Sequence, residues 1–145
     1  MDCPNILGLL VKCKPVLVLQ TNQIRIMLQD DSEITLTLID CFPPPRLQNG
    51  DGFIVENPQG MEAYRFACEA LNDLKTPWIR CWIPVPEYAR EWFRNLKPGS
   101  MQAGHLWISP KLTLNELLVN TGHATNVQPK PGSPYYDGAS LNDDL

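Results

Sequence analysis

The chain has 145 residues, 43% hydrophobic and 19% charged, with a formal net charge of −4. That length suits a single domain able to bury a core without metal or disulfide staples, and the apolar content excludes an extensively disordered chain. The acidic balance repels a phosphate backbone overall, so any nucleic-acid affinity has to come from a local patch.

In chain order, Asp2 stands where a signal peptide would carry positive charge, and the apolar run over residues 6–11 is too short for a secretory or membrane segment. A soluble protein is expected, cytoplasmic or inside a cytoplasmically assembled particle, with no signal-peptide export and no membrane contact. The five cysteines Cys3, Cys13, Cys41, Cys68 and Cys81 are odd in number, dispersed and free of any C-x-x-C pair. That spacing argues against both a disulfide framework and a zinc site.

Residues 6–13 and 16–19 are β-compatible apolar runs separated by Pro15, which has no N–H for a ladder. They predict two short strands or one bent strand. Ile24, Ile26 and Leu28 alternate with polar neighbours, and so do Ile34, Leu36 and Leu38 after the turn Asp30-Asp31-Ser32, which predicts a hairpin with one buried face. Pro43-Pro44-Pro45 forces the chain out of any sheet, and a loop is expected through Asn49-Gly50-Asp51-Gly52.

Asn57 offers an N-cap with Pro58 at the first helical position, and Tyr64, Ala67, Cys68, Leu71 and Leu74 recur at helical spacing, predicting a helix over 58–74. Residues 78–85 (WIRCWIPV) read as a strand, 86–96 as a short helix stopped by Pro98-Gly99, and 105–109 as another strand. Thr113-x-x-Glu116 is a capping box ahead of Leu117, Leu118 and Val119, with Gly122 as the left-handed stop. From residue 128 onward the chain is Pro, Gly, Ser and Asp with Tyr135 and Tyr136, too poor in apolar residues to form its own core.

Strands, a helix, further strand and a short helix of pattern N-E-x-L-V-x-x-G-x-A form an organisation that resembles the staphylococcal nuclease-like domain. The matching segments are TLTLIDCFPP (35–44), GMEAYRFACEAL (60–71) and LNELLVNTGHATNV (114–127). The resemblance implies a mainly β, α+β fold: an OB-type five-stranded β-barrel with two to three helices and extended termini. It also implies a division into an N-terminal extension or extra strand (1–14), the barrel domain (15–127) and a C-terminal tail (128–145).

Members of that family cut nucleic acid with a calcium ion held by two aspartates and a backbone carbonyl, a glutamate base, and two arginines that neutralise charge in the transition state. On this chain the metal aspartates fall on Asn22 and Asp40, the first arginine on Thr35, the glutamate on or near Pro43, and the second arginine near Gln102. Only Asp40 keeps the required chemistry. With base, phosphate clamps and one ligand gone together, catalysis by the family route is not expected. No cofactor is expected either. Asp40, with a carbonyl from Cys41, remains a weak cation candidate, and calcium would enter only if a divergent metal-dependent nuclease were built around it. Cys41 is the one cysteine worth testing as a nucleophile, and neither His105 nor His123 is assigned a role.

The richest surface candidate is 78–97, where Trp82, Tyr88, Trp92 and Phe93 interleave with Arg80, Arg90, Arg94 and Lys97. Such mixing suits stacking on unpaired bases and suits a protein interface equally. The leading expectation is a non-catalytic interaction or scaffold module in a multi-subunit assembly such as a viral particle, with protein partners contacting the tail 128–145. The alternatives are a single-stranded nucleic-acid binder and the divergent nuclease.

Overall fold

β1 (Gly8–Gln20) is one continuous strand despite Pro15. Its first half, Gly8 to Cys13, pairs antiparallel with β6 (Ile79–Pro84), and its second half, Cys13 to Gln20, pairs antiparallel with β2 (Gln23–Leu28). The β1–β2 register slips between Pro15 and Leu17 and again between Val18 and Gln20. A strand that serves two neighbours in succession has to bend, and the position lacking an N–H is where a ladder loses least by slipping. The single bent strand is therefore realised, and residues 8–14 are continuous with the barrel instead of lying outside it. The computed structural model describes residues 8–44, 47–50, 53–84 and 99–127, without the side chains of 47–50 and 53–56.

β2 and β3 (Glu33–Leu38) form the expected hairpin, with Ile24, Ile26, Leu28, Ile34, Leu36 and Leu38 all buried. Its turn is fastened by Asp30, whose Oδ1 accepts from Ser32 N at 3.1 Å and Ser32 Oγ at 2.6 Å, while Asp31 takes φ 69°. β4 (Leu47–Gly50) and β5 (Phe53–Glu56) then pair antiparallel, separate from the barrel sheet. The sequence reading expected a loop here. Asn-Gly followed by Asp-Gly is also a hairpin turn, and four-residue strands are too short to show alternation.

α1 (Pro58–Asn72) starts as predicted, with Asn57 Oδ1 accepting from Gln59 N at 3.1 Å, and ends slightly before residue 74. It buries Ala63 and Ala67, and Tyr64 Oη donates to Val18 O at 2.9 Å, tying the helix to β1. β7 (Met101–Ser109) begins ahead of residue 105 because its first residues, from Met101 to Gly104, run parallel to Thr35 through Leu38. That pairing closes the barrel: order β3-β2-β1-β6-β7, with β7 returning to β3 and β8 (Leu112–Thr113) added beyond β7. Five strands joined in this order, with a helix between the third and fourth, make an OB-type barrel.

In α2 (Leu114–Asn120), Thr113 Oγ1 accepts from Glu116 N at 3.0 Å and donates to Glu116 Oε1 at 3.3 Å, so the carboxylate half of the box closes on the hydroxyl. Gly122 adopts φ 79°, and the amides of His123 and Ala124 bond to Leu118 O. Leu114 and Leu118 join Ile83 and Leu106 in the same core as the hairpin residues. No helix among the described residues is long and apolar enough to cross a membrane. The expected helix at 86–96 and the tail 128–145 lie outside the described residues.

Candidate functional site

Two regions bear on function. The first holds the positions that the family resemblance singles out. Asn22 lies in the turn between β1 and β2, where its carbonyl accepts from Leu38 N at 2.9 Å and its Nδ2 donates to Cys41 O at 3.2 Å. Asp40, which precedes Cys41 in the chain, is exposed, with φ 51°. Thr35 is buried and Gln102 half-buried on the adjacent strands β3 and β7, where Thr35 aligns with Met101 and Leu36 with Gln102. Pro43 is half-buried just after Phe42, which bridges to Thr125.

A calcium ion needs several oxygen ligands, mostly carboxylates. Here the carbonyl of Cys41 faces an amide N–H, and Asp40 is the single carboxylate among the positions carried over from the family. This donor set does not fit the ion. Among the described residues, no group of three or more His, Cys, Asp or Glu side chains is placed to hold a metal.

Cys41 is completely buried, and burial pushes its thiol up to about 12, so it is not the nucleophile that its sequence position suggested testing. The Cys13 thiol is also held well above the usual range by its hydrogen bond with Cys81 and by burial. His123 stacks on Phe66 with ring centroids 4.1 Å apart, a packing role between α1 and the end of α2. His105 has its pKa lowered by burial, against the opposing pull of the Asp40 and Glu116 carboxylates.

The sign of the His105 effect sets a pH dependence. Its folded pKa lies below the ordinary value, so the stability it contributes is present above pH of about 6.5 and is lost as pH falls through that value toward the folded pKa. Urea unfolding at pH 7.5 and pH 5.5 is expected to show a drop that His105→Gln reduces.

The second region grows from the aromatic and basic cluster. Tyr88, Arg90, Trp92, Phe93, Arg94 and Lys97 lie outside the described residues. Trp82 is only 3% exposed: its ring packs against Gly8 and tilts over His105 at a centroid distance of 5.8 Å. It is a wall residue, which corrects its reading as a stacking platform. An indole on the outward face of β6 still has to be covered, and a neighbouring glycine gives it the room.

Arg80 is exposed, but its neighbours are not those of the sequence cluster. Its cross-strand partner on β1 is Lys12 and its partner on β7 is Trp107, so the three share one face of the sheet in a row. With Trp78, Lys75 and Asp73 from the end of α1 and the chain after it, they line an open cleft of about 690 Å³. Trp78 is 38% exposed, whereas Trp107 is 5% exposed and its Nε1–H is buried without a hydrogen-bond partner. Only strand register brings Lys12 and Trp107 to Arg80, and no sequence spacing signals it.

The β2–β3 face, where OB folds commonly take ligands, carries Arg25 and no aromatic residue between Gln23 and Leu38. The sequence matches no protein-family profile and no curated protein.

Proposed function

We propose that the chain is a non-catalytic interaction module, a degenerate relative of the staphylococcal nuclease-like domain that serves as a component of a larger assembly. The observation that carries this reading is the Asn22–Cys41 hydrogen bond. Where the family resemblance calls for a carboxylate and a carbonyl to converge on a cation, this chain sets an amide against the carbonyl and satisfies the pair internally. The loss of positive charge at Thr35 and Gln102 supports the same reading, because phosphodiester cleavage needs charge stabilisation that neither side chain supplies. Exposed Leu10, Val16 and Leu17 along β1 give a protein partner apolar surface to cover.

The test is incubation of the protein with end-labelled single-stranded DNA and RNA, with and without calcium. No cleavage is expected. Cleavage that disappears in Asp40→Ala would overturn the proposal. Copurification under native conditions then looks for the protein partners.

A substitution at the same place gives a further expected result. Asn22→Asp sets a carboxylate against the Cys41 carbonyl. Without metal it should cost about 1–2 kcal/mol in denaturant unfolding. Millimolar calcium should recover part of that loss in the variant and leave the wild-type melting temperature unmoved. A calcium-dependent rise in the wild type would count against the internal pairing of Asn22.

A further inference from the structure

We propose that the cleft between the end of α1 and the β1–β6–β7 face binds a nucleoside phosphate. Its phosphate would lie between Lys12 and Arg80, and its base against Trp78 and the edge of Trp107. None of Asn22, Asp40 and Cys41 lines this cleft.

Charge placement is the first argument. Lys12 and Arg80 stand directly opposite each other across the β1–β6 pair. Like charges in that position destabilise a sheet unless something between them compensates. Among the described residues no salt bridge engages either, and Arg65–Glu62 is the ion pair found there. Lys75 adds a third cation on the wall, so three of the seven described Lys and Arg side chains line one cleft of an acidic protein. Two cations facing each other at a sheet surface make a fork that a phosphate dianion can bridge.

The aromatic groups are the second argument. Trp78 keeps an exposed indole at the rim, and a base has a π-face that stacks on it without sequence preference. The unpartnered Nε1–H of Trp107, on the same wall, is a buried donor, a kind of group that folded proteins rarely leave unsatisfied. Asp73, the acid on the wall, gives a ribose hydroxyl or an exocyclic amine an acceptor. Lys12 and Arg80, directly opposite each other, are the pair on which phosphate binding depends.

The experiment uses the full chain, with the Trp78 and Trp107 indole N–H resonances followed by heteronuclear NMR and affinity followed by calorimetry. The ligands are adenosine 5′-monophosphate, adenosine, inorganic phosphate and a 5′-phosphorylated single-stranded oligonucleotide. The expected result is saturable movement of both indole signals by the mononucleotide, with adenosine or phosphate alone much weaker. Lys12→Glu and Arg80→Glu should each weaken binding roughly tenfold or more, and Trp78→Ala roughly tenfold. Arg65→Ala, an exposed cation elsewhere on α1, should leave it unchanged.

Binding of the oligonucleotide alone, with the same dependence on Lys12 and Arg80, supports the same chemistry and assigns the nucleotide to a strand end. If neither ligand moves these resonances, or if binding is indifferent to Lys12→Glu and Arg80→Glu in variants that keep wild-type circular dichroism, the proposal fails.

Discussion

Asn115→Ala is expected to destabilise the fold by about 3 kcal/mol or more, read as a lower urea midpoint at constant slope. Asn115 is 4% exposed at the start of α2, and all of its hydrogen bonds are to backbone. Nδ2 donates to Ile39 O at 2.9 Å and to Gly104 O at 3.2 Å, and Oδ1 accepts from Leu106 N at 3.2 Å. These bonds continue the parallel β3–β7 seam past its last pair, Leu38 with Gly104, where Ile39 N also donates to Gly104 O. Alanine leaves the buried Leu106 amide and the part-buried Ile39 carbonyl without these partners, while Gly104 O keeps its bond from Ile39 N, and each lost partner costs on the order of 1–3 kcal/mol before relaxation. Asn115→Asp should be worse, because it loses both donors and buries a charge. A change within about 0.5 kcal/mol for the alanine variant would show that the seam does not depend on this side chain.

The second large effect is expected at Gly104. A Cβ there would run into the backbone carbonyl oxygen of Trp82 and come within 2.8 Å of Leu36 Cδ1. A carbonyl in a paired strand cannot swing aside as the end of a flexible side chain can, so β6 and β7 would have to separate where Cys81 pairs with Leu106 and Trp82 with His105. Gly104→Ala is therefore expected to cost about 3 kcal/mol, the upper end of overpacking in a core. Thermal unfolding measures it. A variant as stable as the wild type would mean that the seam has slack which the close approach of Gly104 does not suggest.

Much of the architecture is legible because its causes are local. Alternation in β2 and β3 places Ile24, Ile26, Ile34 and Leu36 inside, and Asn57-Pro58 and Thr113-x-x-Glu116 start α1 and α2 by capping chemistry that operates within one turn. The β4–β5 hairpin is not legible in the sequence because its strands are too short to show a period. The early start of β7 is not legible either, because Gln102, Ala103 and Gly104 carry little apolar signal. Their strand state comes from pairing with β3, a partner distant in sequence.

The candidate sites divide in the same way. That Asn22, Thr35, Pro43 and Gln102 lack the chemistry of a phosphodiesterase follows from residue identity and needs no coordinates. That the Asn22 amide turns to the Cys41 carbonyl, that Trp82 serves as wall and not platform, and that Cys41 is sealed off are consequences of packing. The sequence by itself determined the β2–β3 hairpin, the single bent first strand and the starts of α1 and α2, because propensity, capping and alternation are properties of short segments. Only the tertiary structure decided that Lys12, Arg80 and Trp107 stand in one row. Neighbourhood across a sheet is set by strand order and register, which closure of the barrel imposes on segments far apart in the chain.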